Sequence, residues 1–292
     1  MGARAPPLHF APVVREEFLI AQLSDLHCGS PFFDGALLEA AVAETIAVQP
    51  DLVVVGGDLT TDGYAHEFRA AQEYLQPLFD AGLRIIVIPG NHDSKNVGYL
   101  HFRDTFGIGE GVGKGDSMLH IAGEHPLSMR VVAIDSSKPD LAEGEVGRER
   151  YDWIRQQFAS DADVRCFVLH HHLVPVPGTG RERNEVWDAG DVLTLLDDLD
   201  VHLVLSGHKH VPHVWLLNDI LIVNSGTVSS YRLRGYTRPS YNLLEVTEDL
   251  IRVTLRYPGI GERVGAELDR RTMRLTTSPE LAGMFSKTGW KP

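Results

Sequence analysis

Leu52-Val53-Val54-Val55-Gly56-Gly57-Asp58 is the segment from which the fold can be read. An apolar run this short, with no polar face, is a strand buried on both sides, as in a parallel sheet covered by helices. Leu37 to Val48 precedes it, Ala-rich with helical spacing and stopped by Pro50. Helix-like spacing returns from His66 to Phe79. Further out, Phe18-Leu19-Ile20-Ala21-Gln22-Leu23 and Arg84-Ile85-Ile86-Val87-Ile88 repeat the buried-strand pattern. Strands alternating with helices are βαβ units, so the first half predicts a largely parallel sheet.

The second half begins the same way. Met129 to Ile134 reads as a strand, Tyr151 to Phe158 as a helix, Cys166 to Leu169 as a strand, Val192 to Leu199 as a helix and His202 to Leu205 as a strand. Val211 to Val223, Tyr241 to Val246 and Ile251 to Tyr257 then come as short strand-like pieces. They predict a second, antiparallel sheet packed on the first, in one domain over residues 15–257. Residues 258–292 have weak periodicity and several charges. They read as a C-terminal extension that packs on the body or on a partner, and as a candidate interface for a homo-oligomer.

The 292 residues hold 27 Lys+Arg against 40 Asp+Glu, a net charge of −13. That balance argues against a nucleic-acid partner, which needs excess cationic side chains to displace counterions. Cys28 and Cys166 make no disulfide framework, which fits a reducing compartment. No apolar run nears the roughly 18 residues of a membrane helix, and Met1 to Pro12 has no signal pattern. The expectation is a cytoplasmic protein with no membrane partner.

The strand ends carry the chemistry. They read Asp25-Leu26-His27, Gly57-Asp58, Gly90-Asn91-His92-Asp93, His170-His171-His172 and Gly207-His208-Lys209-His210. In an α/β sheet the carboxyl ends of the strands open onto one crevice. Carboxylate, amide and imidazole donors together suit borderline metals such as Mn, Fe, Zn and Co. There are more donors than one tetrahedral ion uses, so two metals sharing a carboxylate are expected.

These motifs, in this order, resemble those of the calcineurin-like metallophosphoesterase family over about residues 18–246. The resemblance implies a four-layer α/β sandwich of two mixed β-sheets flanked by helices. It implies one metal on Asp25, His27, Asp58 and His210, and a second on Asp58, Asn91, His170 and His208, with Asp58 bridging. His92 matches the family's catalytic imidazole, placed to protonate the leaving oxygen, and Asp93 or Asp62 is positioned in sequence to orient it. The implied activity is attack on a phosphodiester by a metal-bridging hydroxide. The substrate is a small phosphoester, with the bacterial cyclic-nucleotide phosphodiesterase branch the most similar. Glycerophosphodiesters, nucleotide conjugates and phosphomonoesters are the alternatives, and a non-catalytic scaffold is the rival of another class.

The candidate substrate contacts are His171, Lys209 and, in the loop between Val176 and Gly190, Arg181, Arg183 and Asn184. His171 and His172 are expected in a loop, near substrate or in solvent. Lys209 is the cation at the strand ends, and Glu182 and Glu185 offset the two loop arginines. A crevice so poor in positive side chains is expected to prefer singly charged diesters to dianionic monoesters.

Overall fold

In the computed structural model, residues 16–107, 116–123, 125–179, 186–234, 237–278 and 281 are described. The first half alternates as β1 (Phe18–Leu23), α1 (Gly35–Val48), β2 (Leu52–Val55), α2 (Ala65–Asp80), β3 (Ile85–Val87) and α3 (Gly98–Phe106). Asp34 starts α1 by accepting the Ala36 N–H at 3.0 Å. Glu67 starts α2 by accepting the N–H groups of Asp62 and Tyr64 at 2.9 and 3.1 Å. β1, β2 and β3 pair in parallel.

The rest of the chain forms β4 (Ser117–Ile121), β5 (Met129–Ile134), α4 (Tyr151–Phe158), β6 (Val164–Leu169), α5 (Ala189–Asp198), β7 (Leu203–Ser206), β8 (His213–Leu217) and β9 (Ile220–Asn224). It ends in β10 (Tyr241–Val246), β11 (Leu250–Tyr257), β12 (Gly261–Asp269) and β13 (Arg274–Thr277). Among the described residues there are two sheets, ordered β13-β12-β11-β10-β1-β2-β3 and β4-β5-β6-β7-β9-β8.

The second sheet is therefore not antiparallel, as the sequence suggests, but mixed. Helices α4 and α5 are crossovers, so β5, β6 and β7 run parallel, and β9 joins β7 in parallel. Only the edge strands β4 and β8 are antiparallel. The short strands β10 and β11 go instead to the first sheet, against β1. Beyond Pro258, where the sequence reads as an extension, β12 and β13 continue that sheet. The first four residues of β12 are exposed, which is why no apolar alternation marks this strand.

Period-2 alternation sorts the side chains into layers. Phe18, Ile20, Leu52 and Val54 meet Val131, Ala133, Cys166, Val168, Leu203 and Leu205 between the sheets. The alternate residues Ala21, Leu23, Val53 and Val55 face Leu38, Phe68, Leu75 and Phe102 of the three N-terminal helices. On the far side, Val132, Ile134, Phe167 and Val204 pack on Ile154, Phe158, Val192 and Leu196 of α4 and α5. The order is helices, sheet, sheet, helices. Both cysteines are free and buried, in different layers. Among the described residues no helix is long and apolar enough to cross a membrane.

Candidate metal centre and active-site cleft

Strands β1, β2, β3, β6 and β7 all end at one edge, and the chain turns sharply as it leaves them. Asp25, His27, Asp58, His208 and His210 have φ of 55°, 55°, 52°, 75° and 59°. This left-handed region is sparsely used by residues with a Cβ, and its use clusters at functional sites. Gly57 lies at φ 91°, where a Cβ would stand 2.6 Å from His170 Nδ1 and 2.7 Å from the Gly90 nitrogen. Only glycine lets the loops approach so closely.

The seven expected ligands converge into linked clusters. Donor atoms of Asp25, His27 and His210 lie within 4.8 Å of one another, as do those of Asp58, His170 and His208. His27, Asp58 and His92 form a further such group that joins the two. The Asp58 carboxylate sits between them, its Oδ2 3.7 Å from His27 Nε2 and 3.4 Å from His170 Nε2. His210 Nε2 is 3.3 Å from Asp25 Oδ1 and 2.8 Å from His27 Nε2. Asn91 Oδ1 lies 3.0 Å from His208 Nδ1.

Outer hydrogen bonds aim these rings, as around metal sites in general. His170 Nδ1 donates to the Gly56 carbonyl at 2.7 Å and His210 Nδ1 to the Arg232 carbonyl at 2.7 Å, so each turns Nε2 inward. The Asp25 carboxylate is held by the Ser24 hydroxyl at 2.6 Å and by the His208 N–H at 3.0 and 3.1 Å.

The donor set fits a pair of cations. His170 Nε2 and His208 Nε2 are buried with no hydrogen-bond partner among the described residues, and ligation would satisfy both. Charge coupling points the same way. Burial opposes charge on His170, yet the Asp58 carboxylate prevails and raises its pKa to about 9. His27, chiefly through burial, falls to about 3 and stays a neutral imidazole. Burial alone would raise Asp58, but His170 and the other imidazoles hold it well below the usual carboxylate range.

His92 stands at the edge of this group, its ring edge-on to His27 with centroids 4.8 Å apart. Its Nδ1 is 2.5 Å from the Thr61 carbonyl and 2.9 Å from Lys95 Nζ. The Thr61 carbonyl only accepts, which calls for a hydrogen on Nδ1, and the Lys95 ammonium then gives its own hydrogens to Thr61 and Asp62 and not to the ring. Neither Asp93 nor Asp62 orients this ring directly. Asp93 is fully buried and accepts from Leu59, Thr60 and Gly90 instead. Asp62 pairs with Lys95 at 3.3 Å.

Other expectations are corrected. His171 and His172 are fully buried rather than solvated, because the chain after β6 turns under the loop that carries Ser136 and Gly144. The Ser136 hydroxyl lies 2.8 Å from His171 Nδ1. Lys209 is only 3% exposed and does not line the cleft. Arg181, Arg183 and Asn184 lie outside the described residues.

The cleft itself, about 430 Å³, is lined by His27, Asp58, Asn91, His92, His208 and His210, with Ala142, Arg232, Leu233 and Arg234. The sequence reading misses Thr61, Lys95 and the two arginines. Arg232 and Arg234 lie more than twenty residues beyond the last motif, in a turn with no ligand-type spacing. Their presence removes the premise that the crevice is poor in arginine, on which the preference for diesters over monoesters rests.

Two helix-flanked sheets packed face to face, with clustered His and Asp donors at the strand ends, make this an αββα sandwich. Solved structures of this architecture include a dimetal phosphatase from Danio rerio, with a TM-score of 0.61 at 12% identity over 85% of this chain and 98% of that one. A purple acid phosphatase from yellow lupin seeds gives a TM-score of 0.63 at 15% identity over 86% and 53%. The calcineurin-like phosphoesterase family model matches residues 18–212, and the chain belongs to that family.

Two curated relatives are probable cyclic nucleotide phosphodiesterases. That of Synechococcus sp. is 29% identical over 55% of this chain and 58% of its own length. That of Rhodococcus erythropolis is 27% identical over 67% and 66%. A probable glycerophosphodiester phosphodiesterase of Arcobacter nitrofigilis is 25% identical over 62% and 64%. The chain thus spans somewhat less than two thirds of these relatives.

Proposed function

We propose that this protein hydrolyses phosphodiesters with two metal ions held at the strand ends. The observation that carries the reading is the pair of donor clusters with the Asp58 carboxylate between them, beside one cleft. One cation would sit on Asp25, His27, Asp58 and His210, and the other on Asp58, Asn91, His170 and His208. When bound, such a pair neutralises phosphoryl oxygens and lowers the pKa of water.

The chain's own groups do the remainder. Asp25 and Asp58, buried and ionised, fix the ligand rings around them. His92 donates its Nδ1 hydrogen to Thr61, which leaves Nε2 to carry a proton to the departing oxygen. Lys95 keeps its own donors on Thr61 and Asp62, so it braces the turn that holds the imidazole.

The relatives' names direct the first assays to 3′,5′-cyclic nucleotides and glycerophosphodiesters, with bis-p-nitrophenyl phosphate as a generic diester. Protein reconstituted with Mn to two equivalents should turn over at least one diester and lose that activity to chelator. Full metal loading with no hydrolysis of any of the three would overturn the reading.

A further inference from the structure

Two cationic side chains in the cleft have no salt-bridge partner among the described residues. Arg232 and Arg234 line the same cavity as the metal donors. Their backbone is anchored to the site, because the Arg232 carbonyl holds His210 Nδ1 at 2.7 Å. Arg234 donates one guanidinium hydrogen to the Thr179 carbonyl at 3.0 Å, which leaves its remaining donors unassigned. Some arginines elsewhere meet carboxylates: Arg150 with Asp116, Arg252 with Glu245 and Glu267, and Arg256 with Glu262. Among the described residues no carboxylate pairs with Arg232 or Arg234.

Both side chains are exposed in the cleft, so their guanidiniums are open to an anion that enters it. Burial, then the charge of Arg232, lowers the Arg234 pKa from its usual value, and the nearby Asp25 carboxylate only partly opposes them. The charge balance indicates which anion. A scissile diester carries one negative charge, and two divalent cations facing two carboxylates already meet it. A phosphate monoester carries about −1.5 to −2 at neutral pH, which matches the two guanidiniums. Guanidinium is also the side chain best shaped for bidentate phosphate contacts.

We propose that Arg232 and Arg234 clamp a second phosphate of the substrate, one that is not cut, so that the preferred substrate is a phosphodiester bearing a phosphate monoester. They are specificity-determining residues, and the inference rests on the phosphodiesterase reading of this cleft.

The test compares the p-nitrophenyl ester of thymidine 5′-phosphate with and without a 3′-phosphate. The scissile bond and the leaving group are the same in both. Metal-loaded wild type should show kcat/KM at least about tenfold higher for the 3′-phosphorylated ester, the scale of one charge-assisted contact. Arg232→Gln combined with Arg234→Gln should bring that ratio close to one. A wild-type ratio of one or less, or a ratio that survives in the double variant, overturns the clamp.

A binding measurement separates this failure from failure of the underlying reading. By calorimetry, metal-free wild type should bind thymidine 3′,5′-bisphosphate about tenfold tighter than thymidine 5′-monophosphate, and the double variant should lose the difference. Equal wild-type affinities overturn the clamp whatever the turnover. Absence of hydrolysis of every diester, with the binding difference present, overturns the phosphodiesterase reading and leaves the clamp standing.

Discussion

Asp93→Ala is expected to unfasten the metal-site loops from within, although Asp93 touches neither metal cluster. Its carboxylate is fully buried and accepts from the Leu59 and Gly90 N–H groups at 3.1 and 2.9 Å on one oxygen. The other oxygen takes the Thr60 N–H at 2.9 Å and the Thr60 hydroxyl at 2.7 Å. Leu59 and Thr60 follow Asp58, and Gly90 precedes Asn91, so one side chain ties the turn after β2 to the turn after β3. Alanine strands four donors at about 1 kcal/mol each at the low end, or about 4 kcal/mol. That is a large share of the stability of a typical domain, about 5–15 kcal/mol. With a urea slope of about 2 kcal/mol per molar, the unfolding midpoint should fall by about 2 M. Asp93→Asn keeps one acceptor oxygen and should lose about half as much.

The pH dependence has a definite sign. Burial, then the charge of Asp58, raises Asp93 from 3.8 to about 6. Between these values the native state holds a proton that the unfolded chain has released. On this group's account stability therefore falls as pH rises from about 4 to about 6, and Asp93→Asn removes that slope. An alanine midpoint within about 0.5 M of wild type, or an asparagine variant as damaged as alanine, would refute the hub.

Asp58→Ala should lose both metals rather than one, because this carboxylate lies between the two clusters; one metal retained at full occupancy by elemental analysis would sink the bridging assignment. His92→Ala should keep its metals while turnover falls by roughly 10²–10⁴. Esters with p-nitrophenol as leaving group, which needs less protonation, should suffer less. Loss of metal, or equal losses across leaving groups, would count against proton delivery by His92.

The strands and helices are legible in the sequence because they are local. Met129–Ile134, Tyr151–Phe158 and Tyr241–Val246 coincide with the segments read from periodicity alone. Which sheet a strand joins is not local. β10 and β11 read as part of a second sheet, and only tertiary pairing of β10 with β1 puts them in the first. At the site, the resemblance carried by the motifs implies Asp25, His27, Asp58, Asn91, His170, His208 and His210 as ligands, and the fold brings these side chains close to one another. Contacts made through backbone carbonyls leave no mark in side-chain chemistry, so Thr61 against His92 and Arg232 against His210 are invisible in the sequence. The misreading of His171 has the same origin. A run of three histidines reads as a polar loop, whereas burial under Gly144 comes from a segment 27 residues away.

Five candidate ligands in left-handed conformations add a constraint that sequence motifs do not express. For residues with a Cβ each such conformation costs about 1–2 kcal/mol, so these turns would not hold their shape in isolation. They hold because they hydrogen-bond to one another. The Asp25 N–H donates to the Gly57 carbonyl at 2.9 Å and the His27 N–H to the Asp58 carbonyl at 2.9 Å. The Thr227 hydroxyl closes on the Asp25 carbonyl at 2.6 Å and the Val228 N–H on the Ser24 carbonyl at 3.1 Å. Each turn is fixed by the next across the sheet ends, so the donor positions are set by the packed sandwich and not by any one loop. A metal arriving at such a site meets imidazoles and carboxylates already aimed, and the cost of aiming them is met by the fold.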